Sequence, residues 1–172
     1  MTESQVPSGP RLSREDASSR ITAYVYGNIV ILATIAPLTA VNAENGGSFW
    51  YVLATAFTTF LAHTFAESIG RRARSDERLT PAIIRAELRD SLPVLTSAFF
   101  PAAVLGLAWV SNVSGFVAEV TALAYLIVRL ALIGPVVARI RQERPSFRTF
   151  AAGILLAMVG AAVALVKVVL GS

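Results

Sequence analysis

Residues 92–137, LPVLTSAFFPAAVLGLAWVSNVSGFVAEVTALAYLIVRLALIGPVV, contain one acid and one base, Glu119 and Arg129, and no other formal charge. The run breaks at Ser111, Asn112 and Ser114 into two apolar segments, 92–109 and 115–137. Each is close to the roughly 20 residues that cross about 30 Å of hydrocarbon at about 1.5 Å per residue. Lipid offers nothing to a bare backbone N–H or C=O, so both segments have to be helices.

Segments of the same kind lie on either side. Residues 21–41 carry no charge, residues 48–69 carry His63 and Glu67 near their end, and residues 150–170 are interrupted only by Lys167. Pro37, Pro101 and Pro135 fall within or near these segments, where a proline kinks a membrane helix without excluding it. The sequence therefore predicts an all-α polytopic integral membrane protein with five transmembrane helices: 21–41, 48–69, 92–109, 115–137 and 150–170. Residues 1–20, with Pro7, Gly9, Pro10 and several serines, read as a flexible cytoplasmic tail ahead of a transmembrane domain over 21–170. The tail lacks the basic start and apolar centre of a cleavable signal peptide.

Composition agrees. Of the 172 residues 55% are hydrophobic and 15% charged, against about 25% charged in an ordinary soluble domain. The mean hydropathy is +0.62. Cysteine is absent, which removes disulfides, thiolate nucleophiles and cysteine metal sites; a single histidine leaves little for a transition metal. No cofactor or metal is expected.

The basic residues give a direction. Arg11, Arg14 and Arg20 precede the first segment. Arg71, Arg72, Arg74, Arg78, Arg85 and Arg89 lie between the second and third, and Arg139, Arg141, Arg144 and Arg148 between the fourth and fifth. These are thirteen of the fifteen Lys and Arg residues, all on one side of a five-span chain, while the alternate loops at 42–47 and 110–114 have none. The positive-inside rule puts that side, and the N-terminus, in the cytoplasm and the C-terminus outside, in a plasma or inner membrane. Anionic lipid headgroups are natural partners of such clusters, whereas no recognition module or basic-aromatic surface points to nucleic acid. Between the second and third spans, Thr80 and Pro81 make a helix start. Ile83, Ile84, Leu88 and Leu92 then alternate with Arg85, Glu87, Arg89 and Asp90 as in an amphipathic helix. Residues 81–91 are expected to lie at the cytoplasmic membrane surface, apolar side toward lipid, and can run on into the third span.

Polar residues inside the spans are the functional candidates, because ionisable groups are costly in lipid and turn toward protein or water. Thr55, Thr59, His63 and Glu67 recur every four residues along one helix face, and Thr121, Tyr125 and Arg129 do the same. Placed by depth, Tyr24, Asn28, Thr59, His63, Glu67, Thr96 and Arg129 form one expected cluster in the cytoplasmic half. There Arg129 can satisfy Glu67, and His63 carries the side chain that titrates nearest neutral pH. Such a cluster is either a static bond between helices or the lining of a transport route. Near the other surface, Glu119 and Lys167 either close an ion pair or reach separately for the headgroups. Phe49, Trp50, Tyr51 and Trp109 form an aromatic belt. Small residues at Gly153, Ala157, Gly160 and Ala164 allow close helix approach.

No phosphate-binding loop, zinc-protease motif or nucleophile elbow is present, and no catalytic residue is assigned. The leading expectation is a small homo-oligomeric channel or transport protein for an ion or proton. A non-catalytic membrane assembly protein and a lipid-modifying membrane enzyme are the alternatives.

Overall fold

A computed structural model describes residues 14–74, 80–140 and 147–171, and every regular element among them is helical. The helices are α1 (Arg14–Ile35), α2 (Ala40–Glu44), α3 (Gly47–Arg74), α4 (Pro81–Val110), α5 (Gly115–Ala131), α6 (Ile133–Ile140) and α7 (Phe147–Gly171). Among the described residues three stretches are long and apolar enough to cross a membrane, Gly47–Gly70, Pro81–Val110 and Gly115–Pro135, and Ala151–Ala162 adds a shorter apolar helix. Large apolar side chains such as Trp50, Phe57, Phe65, Phe99, Val117 and Leu155 stand exposed around these helices. Water does not tolerate such a surface, and lipid does. The chain is an integral, polytopic membrane protein that meets lipid along its long helices.

The boundaries differ from the sequence reading where proline acts. Helix α1 starts at Arg14, so residues 14–20 belong to a helix and not to a flexible tail, and it stops at Ile35 instead of running to 41. Pro37 lacks a donor and disfavours helical geometry at Ala36, which ends the helix six residues early. The chain then restarts as α2, where Asn42 reaches back to the helix start: the Thr39 N–H and hydroxyl both donate to Asn42 Oδ1, at 3.0 and 2.7 Å. Gly46, at φ +82°, makes the turn into α3, with the Trp109 indole against its Cα. That backbone angle is left-handed and suits glycine.

The expected surface helix 81–91 and the third span are one continuous 30-residue helix, α4. Thr80 caps it, accepting from the Ile83 N–H at 3.4 Å, with Pro81 in the first turn. At about 1.5 Å per residue α4 is about 45 Å long, so its first turns project beyond the hydrocarbon. The two faces of 81–91 divide differently from the expectation for the acids. Ile84, Leu88 and Leu92 are exposed, while Glu87, Asp90 and Ser91 are buried against the bundle and not turned to water.

Helix α4 packs on α1, α3 and α5 at the centre of the bundle. The middle of the core is Ile31, Leu32, Ile35, Val52, Leu105 and Leu126, with Ala98, Ala102 and Ala122 letting the helices approach closely. On the far side α7 packs on α5, α6 and α1. Pro135 leaves the Ala131 carbonyl without its helical donor, and Gly153 of α7 sits directly against that carbonyl. A side chain at 153 would drive the two backbones apart. Gly153→Val is expected to cost about 1–3 kcal/mol, as overpacking does. Ala152→Val, at an exposed neighbouring position, leaves thermal unfolding of the purified protein unchanged.

Candidate functional site: polar side chains at the two ends of the bundle

Helix α4 carries the first group. Glu87, Asp90, Ser91, Val94, Ser97 and Ala98 follow one another at helical spacing on its buried face. Asp90 is bonded to Arg20 of α1, with Nε 2.8 Å from Oδ1 and the two side chains 26% and 7% exposed for Arg20 and Asp90. One residue earlier in α1, the Ser19 hydroxyl donates to Glu67 Oε1 of α3 at 3.2 Å. Three helices are thus joined at one level by a carboxylate-centred pair and a hydroxyl–carboxylate bond. This level gathers Arg20, Glu67 and Asp90 and is called the arginine end below.

Six to nine ångströms deeper, by about 1.5 Å per residue from Arg20 to Tyr24 and from Asp90 to Thr96, a second group surrounds Arg129 of α5. Its Nε donates to the Tyr24 hydroxyl at 3.0 Å and its Nη1 to the Thr96 carbonyl at 3.4 Å. The guanidinium carbon lies 4.5 Å from the Tyr24 ring centroid and 5.5 Å from that of Tyr125. Phe100 stacks on Tyr125 at 4.1 Å. Cation–aromatic contact and two neutral acceptors hold the charge here. Beside them, Asn28 is fully buried, donating through Nδ2 to the Tyr24 carbonyl at 2.6 Å and leaving Oδ1 without a protein partner.

The seven candidates therefore divide. Tyr24 and Thr96 meet Arg129 across α1, α4 and α5, and Asn28 is joined to Tyr24 one turn along α1. His63 stacks instead on Tyr26, with ring centroids 6.0 Å apart, its Nε2 buried and without a partner. Thr59 is half-buried one turn away on α3. Glu67 is held by Ser19, so the expected Glu67–Arg129 bond gives way to other partners for both residues.

The opposite end has its own polar set. Glu44, at the end of α2, accepts from the Gly115 N–H at 3.1 Å and so caps α5. One turn into α5, Glu119 is 8% exposed with Oε1 unpartnered, and the fully buried Ser48 likewise leaves its hydroxyl unpartnered. A cavity of about 300 Å³ opens at Glu44, lined also by Trp109, Ser111, Asn112 and Ser114. Trp50 and Trp109 lie 6.4 Å apart at this end. The side chain of Lys167, the expected partner of Glu119, lies outside the described residues.

Sequence reading missed the Arg20–Asp90 pair. In sequence Arg20 reads as one of the residues that orient the chain, and Asp90 as a polar position of an amphipathic surface helix. The available signal was the spacing of Glu87, Asp90, Ser91 and Ser97, which continues a single face into the span. Breaking a buried pair from one side costs about 3 kcal/mol or more, because the surviving charge stays desolvated. Asp90→Leu is accordingly expected to lower the unfolding temperature in detergent sharply. Adding Arg20→Met should recover most of the loss, and a double variant as unstable as the single one would show that the pair itself contributes little.

Searches of protein-family models, curated proteins and solved structures return no match for this chain.

Proposed function

We propose that this chain is a small ion-transport protein, with protons or another small cation as its cargo. One observation supports the reading above the rest: acid-bearing polar faces are buried at both ends of the bundle, with an apolar plug between them. Glu87, Asp90, Ser91 and Ser97 lie toward one end and Ser48 and Glu119 toward the other. Between them Ile31, Ile35, Ala98, Ala102, Leu105 and Leu126 are at most 4% exposed. Buried carboxylates favour cations and protons, and a dry apolar constriction is a common form of gate.

In this reading all five hydrophobic segments, 21–41, 48–69, 92–109, 115–137 and 150–170, traverse a plasma or inner membrane. The N-terminus is cytoplasmic, and thirteen basic residues hold the arginine end inside. Because side chains fill the middle of a single bundle, the route forms in an oligomer or in a second conformation. Asp90 and Glu119 are the acids that the cargo meets at either end. Arg129, Tyr24, Asn28 and Thr96 set the field below the plug, with Thr59, His63 and Glu67 on the neighbouring helix.

The closed core and the satisfied Arg20–Asp90 bond favour a second reading, a static membrane assembly protein. Proteoliposomes loaded with a pH-sensitive dye separate the two. Under a valinomycin-set potential, transport requires protein-dependent proton entry. Glu119→Gln is expected to slow it by about tenfold or more, equivalent to about 1.4 kcal/mol on the barrier. Folded wild-type protein that passes neither protons nor alkali cations over a broad pH range excludes transport and leaves the assembly role.

A further inference from the structure

We propose that Arg129 holds the phosphate of an anionic phospholipid in the groove between α4 and α5. The guanidinium stays charged at any physiological pH and carries five N–H donors in a planar fork. Two of these donors are engaged, one by the Tyr24 hydroxyl and one by the Thr96 carbonyl. Among the described residues no carboxylate pairs with Arg129; the ion pair found there joins Arg20 to Asp90. Glu67 is occupied by Ser19, and Glu119 lies ten residues away on the same helix, about 15 Å along its axis. A cation with three donors to spare, in a segment that crosses a membrane, requires an acceptor from outside the bundle.

The groove determines what that acceptor is. Tyr24 and Tyr125 flank the guanidinium, and Phe100 backs Tyr125. The remaining side is open: Thr96 is exposed, as are Phe99 and Val128 on the flanking helices, and these surfaces face lipid. A lipid therefore reaches the fork more readily than a solute crossing hydrocarbon does. Phosphate offers two oxygens at the spacing of two guanidinium N–H groups. The site lies about 9 Å, or six residues of α4, from the level of Asp90. Arginine closes such a gap by drawing headgroups and water locally inward. Arg139, Arg141, Arg144 and Arg148 follow in the sequence, and positive charge of this kind beside a membrane selects a net-negative lipid over a zwitterionic one. The assignment rests on the unpaired fork of Arg129 and its open side, so it does not depend on whether the protein moves ions.

The test uses full-length protein in detergent with controlled amounts of phosphatidylglycerol, phosphatidylcholine or inorganic phosphate, read by native mass spectrometry and thermal unfolding. The wild type is expected to retain phosphatidylglycerol in preference to phosphatidylcholine and to be stabilised by it, with no effect of inorganic phosphate. Arg129→Gln should weaken that retention by about tenfold or more, and Arg129→Lys, which keeps the charge but loses the fork, by an intermediate amount. Thr96→Phe, which obstructs the groove and leaves Arg129 in place, serves if Arg129→Gln does not fold, and should also reduce retention. Unchanged retention in the variants, or equal stabilisation by inorganic phosphate, overturns the assignment.

Discussion

A carboxylate on a helix that borders lipid has to be answered by another part of the protein, and in this chain Asp90 is answered by Arg20. That requirement fixes the rotation of α4. Once Asp90 turns toward α1, helical spacing turns Glu87, Ser91, Val94, Ser97 and Ala98 inward with it, and Leu88, Leu92 and Phe99 outward. The outward set would be unfavourable in water and is at ease against acyl chains. The inward set ends in alanines at 98 and 102 that bring α4 close to its neighbours. Lipid thus reverses the usual meaning of an amphipathic helix: the polar face is the buried one.

The same constraint separates the polar residues into local solutions. At the arginine end, charge is answered by charge or hydroxyl, through Arg20–Asp90 and Ser19–Glu67. Deeper, Arg129 relies on aromatic faces, a phenol and a backbone carbonyl, all weaker than a carboxylate and all tolerant of a lipid neighbour. At the tryptophan end, Glu44 answers the free N–H of a helix start, while Glu119 keeps an unpartnered oxygen one turn further in. Charges that are fully matched hold helices together. Those left with spare valence are where a proton, cation or lipid can act.

Much of this was legible in the sequence. The long apolar runs around α3, α4 and α5 announce helices in lipid, and the aromatic cluster at 49–51 with Trp109 marks a membrane surface. The early end of α1 was not read, although Pro37 carried the reason. The rotation of the 81–91 segment was half legible. Periodicity separates two faces, but whether the polar one meets water or protein depends on which helix lies alongside. The candidate cluster was placed by depth alone. Arg129 reaches Tyr24 and Thr96, while rotation about the helix axis, which hydropathy does not encode, sends His63 to Tyr26 and Glu67 to Ser19.

The absence of cysteine from the chain makes site-directed spin labelling along α4 the most direct test of the inward polar face. With the protein in bilayers, labels at positions 88, 92 and 99 should show high accessibility to dissolved oxygen, and labels at 91, 98 and 102 low accessibility and slow motion. The opposite phase, or the same accessibility at all six positions, would contradict an α4 that turns its acids to the bundle and its leucines to lipid.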